Sequence, residues 1–470
     1  MADDPDDVFR RAHHHALAFR RGLDDGPQRP TADYRVMLDR FAQTLPDAGQ
    51  PGPAVIDDLM ARIRPGLAAM VGRRFFGWVM GASHPVGVAA DWMVSAFGQN
   101  AGTHVASPAS AAAEAVTAGW LLDLLALPRE ASVGFVTGAT VANFVCLAAA
   151  RNAVLRTADW DVEADGLFGA PPITVLIGAD AHATVFSALQ FLGLGSNRVQ
   201  RLPTDAQGRI RPAEFAERAK AISGPSIVIL QAGQINTGAF DPFAELIPAA
   251  KAAGAWVHVD GAFGLWARAA PEYAALTQGI EGADSWATDG HKWLQTPYDL
   301  GFAIVRDAEA HRRAMTIAAS YLPAVAESER DPSHYVPELS RRARGLPAYA
   351  MIRHLGRRGI ADMVERHCRL AARLADRLRR EEGIAIANDV VLNQVAVRFG
   401  VGLADEAADE LTRRTIAALQ AGGVAFAGGA QWRGRWIMRL SVISFPTTEA
   451  DIDRAADAII AAWRPIRDAD

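Results

Sequence analysis

The sequence predicts an α/β protein: a large domain built on a mostly parallel sheet, a smaller C-terminal α+β domain and an N-terminal helical arm. Three observations carry this reading. From about Phe75 to Val305, short apolar runs alternate with helical patterns, which implies a parallel sheet covered by helices on both faces. Downstream, a charged amphipathic stretch over residues 353–380 leads into alternating segments. Upstream, residues 1–72 are broken by DDGPQRP, LPDAGQPGP and IRPG, the texture of short helices with little core of their own. The domain bounds expected from these shifts are 1–72, 73–340 and 341–470.

Composition narrows the function class. The 470 residues are 50% apolar and 21% charged, which excludes a disordered chain, a collagen-like fibre and a coiled coil. A net charge of -5 offers no basic footprint for nucleic acid. The opening MADDPDDVFRR lacks a basic and then apolar leader pattern, so no secretory signal is expected. The longest apolar stretch, residues 111–127, carries Glu114 and Asp123 and reads as a buried helix, not a membrane span. Cys146 and Cys368 cannot build a disulfide framework and fit a reducing cytoplasm. The run His13–His14–His15 has no partner ligands nearby in sequence, so no metal site is expected.

Taken in order, strands are expected at residues 133–136, 173–177, 227–231, 256–260 and 302–305. In sheets of this kind ligands sit at the carboxyl ends of the strands. After the first, Thr137–Gly138–Ala139–Thr140 breaks into a helix whose free N–H groups suit a phosphate. After the second, His182 opens a helix; it either caps that helix or stacks on a ring and moves protons. Asp260 ends the strand AWVHVD, where a buried carboxylate is costly unless paired. Either it caps the helix that follows or a protonated pyridine pairs it, and Gly261 and Ala262 are small enough for a flat ring to lie against them. Lys292, between His291 and Trp293 in TDGHKW, could form a Schiff base with an aldehyde if half-buried. Pyridoxal phosphate is the commonest protein-bound aldehyde. Residues 321–341 form a long loop of the kind that usually serves function. Segments 390–398, 424–427 and 436–441 and a helix over 448–463 complete the smaller domain, with Arg439 equally able to bind an anion or sit at a strand edge.

Together the motifs FFGWVMGAS, ASPASAAAE, TGATVANF, DAHATVF, NTGAFDP, HVDGAFG, TDGHKW, ELSRRARG and MRLSVIS closely resemble the group II pyridoxal-phosphate-dependent amino-acid decarboxylases, over residues 75–448. That family belongs to the aspartate aminotransferase superfamily. The resemblance implies the PLP-dependent transferase-like fold (fold type I), a pyridoxal 5'-phosphate cofactor and release of CO2 from an L-amino acid to give an amine. Carried over residue by residue, Lys292 would hold the aldehyde, Asp260 would pair with the pyridine nitrogen, and His182 would stack on the ring beside Ala262. Ala139, Thr140 and His291 would hold the phosphate, and Thr237 would face the cofactor's oxygen edge. Asp289 stands where many relatives have Asn near the phosphate, and its carboxylate would repel the phosphate unless it turns away. Tyr321, in YLPA, matches the loop tyrosine that returns a proton to the reacting carbon.

Gly81, Gly102 and His104 match positions that pack on the substrate ring in aromatic decarboxylases, and the polar flanks Gln99, Asn100 and Thr103 point to a larger or more polar substrate. The resemblance also implies a homodimer with the site at the subunit boundary and the arm interlocking the subunits; the composition adds the expectation of a cytoplasmic protein with no nucleic-acid or membrane partner. The second reading is other chemistry on the same fold: an aldehyde synthase, a C–C or β-lyase, or an aminotransferase. The tyrosine at Tyr321 speaks against the oxidative variant.

Overall fold

The computed structural model describes residues 4–316 and 329–469. Packing divides the chain into two units, one comprising Val79–Ala372 and Ala387–Val395, the other Met1–Trp78, Arg373–Ile386 and Ala396–Asp470.

The first unit is built on seven strands: β1 (Ser132–Val136), β2 (Thr174–Gly178), β3 (Val199–Leu202), β4 (Ser226–Gln231), β5 (Trp256–Asp260), β6 (Ser285–Asp289) and β7 (Gly301–Val305). Their order across the sheet is β1-β7-β6-β5-β4-β2-β3. Neighbours from β6 to β3 run parallel, and β7 lies antiparallel to both β1 and β6. Every residue of β4, β5, β6 and β7 is buried, as parallel strands covered on both faces require. Helix Ala139–Arg156 lies in the core with Val145, Cys146 and Leu147 buried against Ile177, Ile229 and Val305.

The five strands expected from the sequence are present, each within one residue of its expected bounds. Two others were not legible. β3 is a short edge strand whose Gln200 and Arg201 are exposed, so it shows no apolar run. β6 reads SWATD, yet it is wholly buried because its polar groups are satisfied inside the sheet. The Ser285 hydroxyl accepts from Trp256 Nε1 at 3.0 Å and donates to His258 Nδ1 at 2.9 Å.

The second unit contains helices Pro5–Arg21, Tyr34–Phe41 and Gly52–Ile63, none of which has a buried residue. Phe9, Tyr34, Leu38 and Phe41 remain exposed there. A four-stranded sheet has the order β10-β11-β9-β8, with β8 Ile384–Ile386, β9 Gln394–Phe399, β10 Gly428–Trp432 and β11 Arg435–Ser441. The strand expected from residue 390 begins only at Gln394, because Val390 has φ 49°, a left-handed backbone no strand accommodates. The strand expected at 424–427 begins at Gly428; before it Phe426 makes a single bridge to Phe75 and stacks on its ring at 4.6 Å. The expected amphipathic helix runs over Gly345–Leu378 with a break at Gly356, whose φ of 62° and ψ of 177° interrupt the helix. The closing helix is Glu449–Arg467, fixed by a capping box between Thr448 and Asp451.

Candidate active site

At the carboxyl ends of β1, β2, β4, β5 and β6 lies a cavity of about 330 Å³, within the range of small-ligand sites. Among the residues lining it are Ala139, Thr140, His182, Asp260, Ala262, Asp289, His291 and Lys292. These eight lie up to 153 residues apart in sequence (292 − 139) and meet because successive strands end at one edge.

Each is held by its element. Helix Ala139–Arg156 starts at the end of β1, and its first turn faces the cavity. Gly301 passes so close to that turn that a Cβ there would lie 2.5 Å from Gly138 Cα, so only glycine fits. The same helix is keyed to β5 through His258, whose Nε2–H donates to Asn143 Oδ1 at 2.8 Å. Burial pulls His258 down to about 3, so it is neutral and keeps this bond at physiological pH.

His182 is the N-cap of helix Ala183–Phe191; the Thr184 amide donates to its Nδ1 at 3.3 Å, with the Thr184 hydroxyl at 2.7 Å. That leaves Nε2 as the nitrogen able to carry the proton of a neutral ring. The capping and ring-facing readings of this histidine are thus compatible, since it both caps and lines the cavity.

Asp260, the last residue of β5, is 5% exposed and accepts from the Ala262 amide at 3.2 Å. Burial pushes its carboxyl up, and the positive charges of His182 and Lys292 pull it back. A carboxylate so placed favours any additional cation that enters the cavity.

Lys292 leaves a tight turn after β6. The Gly290 amide donates to Leu300 O at 3.0 Å, and Trp293 Nε1 donates to His367 Nδ1 at 3.0 Å. Lys292 Nζ is 2.8 Å from Asp289 Oδ2 and 6.0 Å from the Phe263 ring centroid. The His291 ring lies tilted against Tyr298, centroids 4.2 Å apart, and its Nδ1 is buried with no partner among the described residues. Burial holds the His291 pKa down, opposed by Asp289.

Four expected site residues are placed differently. Thr237 does not line the cavity: its hydroxyl donates to Gln207 O at 2.7 Å and accepts from the Ala239 amide, closing the turn after β4. Gly81 packs on the back of the lysine turn, donating to His291 O at 2.9 Å; a Cβ there would lie 2.3 Å from Lys292 O. Gly102 packs on Leu339 O, 2.2 Å from where a Cβ would sit. His104 is bonded to Asp331 (Nδ1 to Oδ1, 2.6 Å) and lies 3.1 Å from Glu329, with its pKa raised chiefly by the Asp331 hydrogen bond. None of these four lines the cavity. Tyr321 lies outside the described residues.

Several lining residues escaped the sequence reading: Gln231, Gly233, Ile235, Phe263 and Tyr298. Gln231 is the last residue of β4, and Phe263 follows Ala262 directly, so the strand-end rule could have found both. Tyr298 is half-exposed, and partial desolvation of its phenol together with the Asp289 charge pushes the phenol up.

Residues 35–400 match the family described as the pyridoxal-dependent decarboxylase conserved domain. The chain belongs to this family, amino-acid carboxy-lyases whose cofactor is pyridoxal 5'-phosphate. Among curated relatives it is 25% identical to an aromatic-L-amino-acid decarboxylase of Bacillus atrophaeus, over 92% of this chain and 89% of that one. It is 27% identical to an L-2,4-diaminobutyrate decarboxylase of Rhizobium meliloti, over 86% and 84%. The crystal structure of Oryza sativa TDC with PLP and tryptamine superposes with a TM-score of 0.91, covering 98% of each chain at 24% identity. At that identity the superposition shows the fold.

The cavity fits that cofactor. A helix N-terminus, the orphaned Nδ1 of His291, a buried carboxylate and an amine all face one space. Each has the chemistry that a different part of a phosphorylated pyridine aldehyde would call for. No group of three His, Cys, Asp or Glu suited to a metal occurs among the described residues, and none of their helices is long and apolar enough to cross a membrane.

Proposed function

We propose that this chain removes the α-carboxyl group of an L-amino acid as CO2 and releases the amine. The observation that carries the reading is the convergence of Lys292, Asp260, His182 and the Ala139–Thr140 turn on one cavity. Bound pyridoxal 5'-phosphate supplies an aldehyde and an electron-accepting ring. Lys292 holds the aldehyde and gives way to the substrate amine. Asp260 holds a proton at the pyridine nitrogen, which keeps the ring electron-poor. His182 covers one ring face, and Ala139, Thr140 and His291 hold the phosphate. Tyr321 returns a proton to the carbon that has lost CO2. The exposed apolar faces of the N-terminal helices support a homodimer, because such a stripe is stabilised by burial on a second copy.

The experiment is a screen of L-amino acids, aromatic, acidic and diamino, scored for CO2 and for amine. At least one should give both in equal amounts, from a particle of twice the 50.2 kDa chain mass. CO2 without amine, keto-acid formation or a monomer active at full rate would each refute the corresponding part.

Replacing Tyr321 with Phe tests the proton donor. CO2 release should continue while amine yield falls. Oxygen then takes the electron pair that the missing proton would have taken: O2 is reduced to hydrogen peroxide, and the resulting imine hydrolyses to aldehyde and ammonia. Amine formation at the wild-type rate, with no peroxide, would assign the proton to another group, His182 first.

A further inference from the structure

Asp289 occupies the helix N-terminus to which the phosphate is assigned above. It ends β6 with its side chain 3% exposed, and both oxygens are engaged. Oδ1 accepts from the amide of Ala139, the first residue of helix Ala139–Arg156, at 2.6 Å. Oδ2 is 2.8 Å from Lys292 Nζ. His291 Nε2 lies 3.6 Å from Oδ1, and a Cβ on Gly138 would meet both Asp289 Oδ1 and His291 Cε1 within 3.3 Å.

The first turn of a helix offers unpaired N–H groups and the positive end of the dipole, and it binds carboxylate and phosphate alike. Here a carboxylate of the chain itself already fills it. A phosphate arriving at Ala139 and Thr140 therefore meets a fixed negative charge on the very N–H it needs. The cations nearest that charge are Lys292, whose nitrogen is turned to the aldehyde once it holds one, and His291, whose protonation burial disfavours.

We propose that Asp289 competes with the cofactor phosphate for the N-terminus of helix Ala139–Arg156, so that it sets the affinity for the phosphorylated cofactor and must leave Ala139 for loading. This rests on the assignment of the phosphate to Ala139 and Thr140 made above. The competition acts on the phosphate alone. The ion pair with Lys292 acts on the aldehyde, so any effect passing through Lys292 is shared by cofactor forms with and without phosphate. Comparing the two forms separates the roles.

The test titrates the apoprotein with pyridoxal 5'-phosphate and with pyridoxal, and reads the ratio of the two dissociation constants by equilibrium dialysis. Wild type, Asp289→Asn, Asp289→Ser and Thr140→Val are compared; the serine variant guards against a local defect peculiar to asparagine. Relieving a like-charge contact should raise the preference for the phosphorylated form by about 10- to 100-fold in both Asp289 variants. Thr140→Val should lower it. An unchanged or lower preference in the Asp289 variants, with Thr140→Val still lowering it, overturns the competition and leaves Asp289 as a partner of Lys292 only. An unchanged preference in Thr140→Val as well overturns the phosphate assignment itself, and the proposal with it.

Discussion

Asp260→Asn should lower kcat by about 10²- to 10³-fold, while the protein still folds and still takes up cofactor. The size follows from removing one preorganised charge aimed at where charge develops, about 3–4 kcal/mol in comparable sites. Asparagine keeps the shape and can still accept from the Ala262 amide, now 3.2 Å from Asp260 Oδ1. What it cannot do is hold a proton on a pyridine nitrogen. The loss should therefore fall on the chemical step in single-turnover measurements and not on substrate binding. A second readout excludes a merely structural role. Asp260 is 5% exposed and its carboxyl is pushed up by burial, so the charge costs stability in the empty protein. Neutralising it should leave the melting temperature of the apoprotein unchanged or raised. A drop in melting temperature with wild-type turnover would show that Asp260 serves the fold and not the reaction.

How much of this site could be read in the sequence depends on which physical signal each residue leaves. Asp260 and Lys292 were legible because charge at the end of a buried strand, or in the turn after one, is costly and demands a partner. His182 was legible as a helix opener but not as a residue with two simultaneous jobs; only the fold shows that capping through Nδ1 leaves the ring on the cavity. Thr237 is placed by a contact the sequence does not display. Its motif, NTGAF, is local in sequence, yet its hydroxyl is claimed by Gln207, thirty residues earlier, a contact that no spacing argument reveals. Gly81 and Gly102 are glycines because backbone carbonyls press on them, of Lys292 in one case and Leu339 in the other. Packing within the chain is therefore sufficient to require their smallness. Tyr298 left no signal because it lies in a turn after the lysine, not at a strand end. In the fold, apolar runs found β1, β2, β4, β5 and β7, whereas β6 hid behind its serine and threonine. The serine of β6 is satisfied by Trp256 and His258, long-range partners absent from any local window.

The largest loss should come from Lys292→Ala, in two separable parts. In the function proposed above, Lys292 is the amine that meets the cofactor's aldehyde and is exchanged for the substrate amine. A nitrogen held in place acts at an effective concentration of about 10⁵ M or more, so kcat should fall by at least about 10⁴-fold when it is removed. Small amines added to the solution should restore part of the rate, because they supply the missing nitrogen without its positioning. The second part concerns stability. Lys292 Nζ lies 2.8 Å from Asp289, with side chains 16% and 3% exposed. Removing the lysine leaves a buried carboxylate without its cation, which typically costs about 3–5 kcal/mol. The apoprotein should therefore melt at a lower temperature than wild type, and Asp289→Asn added to Lys292→Ala should recover most of the difference. The two substitutions are thus non-additive in stability, as groups in direct contact are, whereas activity stays lost in the double variant. Chemical denaturation of the four apoproteins measures the coupling. Additive changes in stability would show that the pair is not formed in solution, and turnover near the wild-type rate in Lys292→Ala would remove the lysine from the reaction altogether.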